Sequence, residues 1–175
     1  MKLNANELRE LEEKKAIGVI RKIKRKPLYF ILENIYDTYN IGGLFRLADA
    51  LAIEKIYLCG EMEVPPNSRI KKASIGTYKV VNWEYKKSAK EAIEELKKFQ
   101  TISIVAIEQR PTSISYQKAD YSLPLALILG NESYGVTKET LKLADQIVEI
   151  PMWGINKSLN VIVSAAIVSY WIVNK

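Results

Sequence analysis

From residue 28 onward the chain alternates short apolar runs with stretches whose apolar residues recur every three or four positions. Residues 28–32 predict a strand, and in residues 41–52 Leu44, Leu47, Ala48 and Leu51 fall on one face, which predicts a helix. Residues 56–59 give a second strand, 67–74 a short helix and 78–83 an extended segment. Residues 89–99 predict a helix preceded by Ser88, with Lys90, Glu94, Lys97 and Lys98 facing water. The runs at 102–107 and 125–129 are continuously apolar, as strands are when a parallel sheet is covered on both sides. A helix over 137–143 follows, with Thr137 as N-cap and Glu139 in its first turn. A last strand at 146–150 and a closing helix at 159–173 complete the pattern. Strands alternating with helices predict one α/β domain over residues 27–175, with a mainly parallel sheet. In such sheets ligands bind beyond the carboxyl ends of the strands.

Residues 1–26 differ. Leu3, Leu8, Leu11 and Ile17 stand among alternating acids and bases, which predicts a surface helix. Arg21, Lys22, Lys24, Arg25 and Lys26 then crowd five cations into six residues, closed by Pro27. Such a run is either a solvated segment or an arm that contacts phosphates.

Composition narrows the chemistry. A net charge of +6 over 175 residues favours polyanionic partners without naming one. The single cysteine, Cys59, gives no disulfide framework and fits a reducing compartment. No leader pattern opens the chain, and residues 161–173 fall short of the roughly 20 apolar residues of a membrane span. A cytoplasmic location is the expectation. The absence of histidine removes His-based triads, His general bases and His-ligated metal sites, and a lone cysteine builds no zinc site. No metal is expected.

Three constellations follow strands. In the first, residues 33–46, Asn40 is placed to cap a helix and Gly42-Gly43 to admit another backbone. Arg46, six residues after Asn40, projects from the second turn toward the same end, where a guanidinium can hold a phosphate. In the second, Leu129-Gly130-Asn131-Glu132 ends an apolar strand in a glycine-punctuated turn. Gly130 would let a ligand pass the backbone; Glu132 would take a ribose hydroxyl or bond the turn's own amides. The turn matches neither a phosphate loop nor the three-glycine dinucleotide fingerprint. In the third, Pro151 ends a strand, Ile150 and Met152 can flank an adenine, Ser158 is placed to cap the last helix, and Asn160 points into the same crevice.

Taken in this order, Asn-x5-Arg, Gly-Asn-Glu-x2-Gly-Val and Ile-Pro-Met-x5-Ser-Leu-Asn-Val resemble the three signature motifs of the SpoU/TrmH RNA 2′-O-methyltransferases. The resemblance is close over residues 33–60 and 125–173 and looser between. It implies an α/β fold with helices on both faces of the sheet and a deep carboxyl-terminal trefoil knot. It implies S-adenosylmethionine as cofactor, RNA as substrate (tRNA first, ribosomal RNA as the alternative) and a homodimer that completes the active site at its interface. Catalytic roles pass to Arg46, Asn40, Glu132, Ser158 and Asn160. The cofactor pocket passes to Leu129, Gly130, Asn131, Ile150, Met152, Ser158 and Leu159, largely through backbone atoms. Arginine side chains hold their proton up to a pH above about 12, so Arg46 is expected to orient the ribose-phosphate and stabilise charge on the oxygen rather than act as a base. The extra amino-terminal RNA-binding domain of some relatives is not expected here. RNA contacts are therefore expected from the 21–26 run, Arg46 and, unless they only face solvent, Arg69, Lys71 and Lys72. Rival readings are a catalytically silent RNA-binding subunit, a nucleotide-dependent oxidoreductase and an interaction module; cofactor binding separates them.

Overall fold

The computed structural model of the chain describes residues 2–20 and 22–175, with backbone alone at Glu13, Lys14, Ile17 and Val19. Its sheet joins β1 (Lys26–Glu33), β2 (Ile53–Cys59), β3 (Trp83–Lys86), β4 (Ser103–Ile107), β5 (Ile114–Ser115), β6 (Leu125–Leu129) and β7 (Gln146–Glu149). The order is β3-β2-β1-β6-β4-β7-β5, and every pair is parallel. Strand parity explains the continuous apolar runs. Phe30, Leu32, Ile56, Leu58, Leu127 and Val105 point to one side; Ile31, Tyr57, Ile104, Ala126 and Ile128 point to the other. The first side is covered by α3 (Thr38–Leu51), α4 (Ser68–Ser74) and α7 (Val161–Val173), the second by α5 (Ala89–Phe99) and α6 (Lys138–Leu141). Burying each large apolar side chain contributes about 1.5–3 kcal/mol.

Glycines set the contact between α3 and its neighbours. A Cβ at Gly42 would lie 2.4 Å from Ala73 Cβ and 2.8 Å from the Ser74 amide nitrogen, and one at Gly43 would lie 2.3 Å from Ile162 Cδ1. The close approach expected of this pair is thus to α4 and α7. Gly42→Val is expected to force α3 and α4 apart and to lower unfolding free energy in urea by about 3 kcal/mol; an unchanged midpoint would show that the helices separate freely.

Two expectations change here. Residues 78–83 are not extended throughout: Gly76 turns the chain at φ +95°, a 3-10 turn spans Thr77–Lys79, and pairing with β2 starts at Trp83. This turn is held by the amino-terminal segment, because Lys79 Nζ donates to the Arg9 and Leu11 carbonyls at 3.0 and 2.7 Å. That segment folds as α1 (Ala5–Glu10) and α2 (Glu13–Ile20), and Leu8 and Ala16 pack on Val80. The basic run is the second change. Arg21 lies outside the described residues. Arg25 is half-buried and donates to the carbonyls of Ile53 at 2.9 Å and Val80 at 2.6 Å, so it fastens β1 to its neighbours instead of facing phosphate. Burial holds its pKa below the usual arginine range.

Candidate functional site

Strand register builds the site's rim. Leu32 pairs with Leu129, Leu129 with Ile107, and Ile107 with Val148, so four strands end at one level. The next residues, Glu33, Gly130, Glu108 and Glu149, ring the carboxyl edge of the sheet. A cavity of about 600 Å³ opens there, lined by Leu129, Gly130, Ile150, Met152, Ser158 and Leu159 among others. Asn131, Glu132 and Asn160 also line it. Arg46 and Asn40 do not.

Long-range hydrogen bonds join the first and second constellations. The Glu132 carboxylate accepts from the backbone amides of Tyr36 and Asp37, both at 3.2 Å, and from Asn40 Nδ2 at 2.9 Å. Asn40 Oδ1 in turn accepts from Asn160 Nδ2 at 3.0 Å, which brings in the third constellation. Glu132 thus bonds amides, as one of its two expected roles had it, but those of the segment leading into α3 as well as its own turn. Burial raises its pKa, and the bonds from Asn40 and from the Glu132, Tyr36 and Asp37 amides outweigh that, leaving it below the ordinary carboxylate range. The tie to α3 is therefore complete above a pH of about 4.3, the unfolded value, and is lost only as pH falls through the lower folded one. The Tyr36 and Asp37 amide shifts should titrate with a midpoint below about 4.3; a midpoint above it would refute the assignment.

The helix caps differ from expectation. Asp37, not Asn40, caps α3, accepting from the Tyr39 amide at 2.8 Å, because Asn40 is committed to Glu132 and Asn160 in the helix's first turn. Asn160, not Ser158, caps α7, accepting from the Ile162 amide at 2.8 Å. Ser158 stays on the exposed 150–160 loop. Gly130 is required by the chain itself: a Cβ there would lie 2.3 Å from Gly135 C and Val136 N. Asn131 holds the same turn, donating to the Asn34 carbonyl at 2.6 Å and accepting from the Ser133 and Tyr134 amides.

Two carboxylates escaped the sequence reading. Glu33, 5% exposed, accepts from the Thr137 amide at 2.8 Å and the hydroxyls of Thr137 and Thr140 at 3.0 and 2.5 Å, which sets the start of α6. Glu108 accepts from the Val136 amide at 2.8 Å, and Gln109 Nε2 donates to the Lys157 carbonyl at 2.7 Å, steadying the far wall of the cavity. Their position at the end of an apolar run, 28–32 for Glu33 and 102–107 for Glu108, is the one signal that pointed to them. Cys59 is fully buried, and burial pushes its thiol up to about 12, Glu33 and Glu91 adding to the effect.

Residues 27–170 match the model of the SpoU rRNA methylase family. The chain belongs to that family. It is 30% identical over 151 residues to the tRNA (guanosine(18)-2′-O)-methyltransferase of Escherichia coli K12, covering 84% of this chain and 63% of that one. Among solved structures, the Aquifex aeolicus TrmH/SpoU tRNA modifying enzyme superposes with a TM-score of 0.77 at 26% identity, over 92% of this chain and 82% of that one. An AdoMet-bound rRNA methyltransferase from Sinorhizobium meliloti gives 0.78 at 24% identity, over 95% of this chain and 59% of that one, a likeness of fold. This SpoU family member thus spans 63% of the length of the Escherichia coli relative.

Three placements define the site of this SpoU chain. Glu132, Asn40 and Asn160 form one hydrogen-bonded line. Ser158, Leu159, Met152 and Ile150 wall the cavity. Arg46 stands on α3 outside the cavity, its side chain exposed and without a hydrogen bond or ion pair among the described residues. Lys24 and Lys26 are exposed at the amino end of β1, about 20 Å along the strand from the rim.

Proposed function

We propose that this chain transfers a methyl group from S-adenosylmethionine to a ribose 2′-hydroxyl of RNA, tRNA in the first place and ribosomal RNA as the alternative. The observation that carries the reading is the convergence of three sequence-distant motifs on one rim, through the Glu132–Asn40–Asn160 line and the cavity beside it. The residues fit the cofactor: a cavity of about 600 Å³ lies within the roughly 300–1,000 Å³ of small-molecule sites. Apolar Ile150, Met152 and Leu159 would flank the adenine, and the irregular loop backbone offers amides and carbonyls to its edge. Gly130 and Asn131 would shape the floor, and Ser158 the mouth. When bound, the cofactor supplies an already activated methyl group.

The chain's own residues then have to align and protect. Arg46 grips the ribose-phosphate and stabilises charge developing on the 2′-oxygen. Asn40, Glu132 and Asn160 keep α3, the Gly130 turn and the α7 start at fixed spacing, so that oxygen and methyl meet in line. The segment ahead of the 27–175 domain serves as its basic extension, with α1 and α2 as its helices, and Lys22, Lys24 and Lys26 give it phosphate contacts away from the rim.

The functional unit is a homodimer, and Arg46 serves the partner's cavity. Support comes from α7, apolar on all sides, which leaves Val163 45% and Tyr170 46% exposed, and from the position of Arg46 outside its own cavity. The carboxyl-terminal segment passes through a trefoil knot, as the family resemblance implies. The setting is cytoplasmic; no helix among the described residues is long and apolar enough to cross a membrane, and none of their acidic groups clusters for a metal.

Subunit mixing tests this arrangement. Arg46→Ala and Asn160→Ala chains, each inactive alone, should recover about a quarter of wild-type transfer when dissociated and reassociated, because half the dimers carry one intact site. No recovery, with heterodimers shown to form, would place Arg46 and Asn160 of one chain in one site.

A further inference from the structure

A second cavity of about 440 Å³ adjoins the start of α3, and the chemistry above makes no use of it. Tyr36, Asp37 and Tyr39 bound it on one side; Glu63, Asn67 and Arg69 bound it on the other. Tyr36 and Tyr39 are 53% and 54% exposed, and both line this one groove. Asp37 Oδ1 accepts from the Tyr39 amide and Glu63 Oε2 from Asn67 Nδ2 at 3.2 Å. The second oxygen of each carboxylate has no protein hydrogen bond among the described residues. Arg69 is exposed and unpaired among those residues, and Lys71 and Lys72 continue the cationic line along α4.

Aromatic faces inside, acceptors at the edge and cations outside suit one kind of ligand. A phosphate within the groove would meet Asp37 and Glu63. A base would stack on a tyrosine and offer its N–H groups to the free carboxylate oxygens, while Arg69, Lys71 and Lys72 take the flanking phosphates. We propose that this groove holds one unpaired base of the RNA, guanine in preference to uracil. Guanine presents two adjacent donors, N1–H and the N2 amino group, where uracil presents one. The groove is tied to the methylation rim, since the Tyr36 and Asp37 amides are the ones that bond Glu132. It thereby selects which nucleotide is presented. The inference rests on the proposed reading of RNA as substrate.

The test uses the full chain and fluorescein-labelled RNA hairpins that differ only in one loop position, guanosine or uridine. Kd is read by anisotropy for the wild type, Tyr36→Ala, Tyr39→Ala and the two phenylalanine variants. S-adenosylmethionine affinity and dimer mass are measured on the same samples. The expected result is tighter wild-type binding of the guanosine hairpin, about tenfold weaker binding by the alanine variants and recovery with phenylalanine. Cofactor affinity and mass should stay unchanged. Alanine variants that bind like the wild type would overturn the groove and leave RNA as substrate standing. Phenylalanine variants as weak as alanine would overturn stacking, and a shift to monomer would make the rings an interface. A wild type that binds neither hairpin, nor tRNA nor ribosomal RNA, would overturn the substrate reading as well.

Discussion

Arg46→Ala is expected to lower methyl transfer at saturating RNA and donor by a factor of about 10²–10³, the range seen when one donor to a developing negative charge is removed. Affinity for S-adenosylmethionine should hold, because the role proposed for Arg46 is toward the ribose-phosphate and not toward the donor. The fold should hold too: the side chain is exposed and makes no hydrogen bond or ion pair among the described residues, and such surface changes stay within about 0.5 kcal/mol. Arg46→Lys keeps the charge and loses the paired geometry, so it should recover only part of the rate. Single-turnover rates and calorimetric donor binding, measured on the same preparations, separate the two effects. Loss of donor binding with turnover spared would contradict the role given to Arg46.

The second large effect is on stability. Glu33→Ala removes a buried carboxylate that accepts from the Thr137 amide and from two threonine hydroxyls. Hydrogen bonds to a charged group contribute about 1.5–3 kcal/mol each, and donors left buried without a partner cost more, so the expected loss is at least about 3 kcal/mol. For a domain of this size, each kcal/mol moves Tm by about 2–4 °C, and calorimetry should show a fall of about 6–12 °C. Glu33→Gln keeps an acceptor but turns an amide donor toward donors, and should fall in between. A Tm unchanged in Glu33→Ala would mean that α6 is set by its Thr137 cap alone.

Much of this was legible along the chain, for physical reasons that also mark the boundary. The strands at 28–32, 102–107 and 125–129 read clearly because burial on both faces leaves no room for polar residues. Helix α3 read clearly because Leu44, Leu47, Ala48 and Leu51 recur on one face and are buried in the core with the strand residues. Its cap did not: Asn34, Asp37 and Asn40 all suit a helix start, and the choice is made by Glu132, 92 residues away, which takes the Asn40 amide. Ser158 lost to Asn160 for the same kind of reason, the cap of α7 being the residue that also bonds Asn40. Glu33 passed as no more than the first residue of the 33–46 stretch because its partners stand 104 and 107 residues on. Arg25 read as one cation among five because carbonyls 28 and 55 residues ahead leave no trace in a charge count. The motifs themselves stood out because the rim needs polar residues just past apolar strands, a contrast that survives in one dimension.

The central claim is the reaction, and it is tested most directly by incubating the purified chain with S-adenosylmethionine labelled in its methyl group and unmodified tRNA or, separately, ribosomal RNA, then digesting the RNA to nucleosides. Label recovered as a 2′-O-methylnucleoside from tRNA is the predicted result. Label on a base, or no transfer to either RNA by a chain that binds the donor, would contradict it.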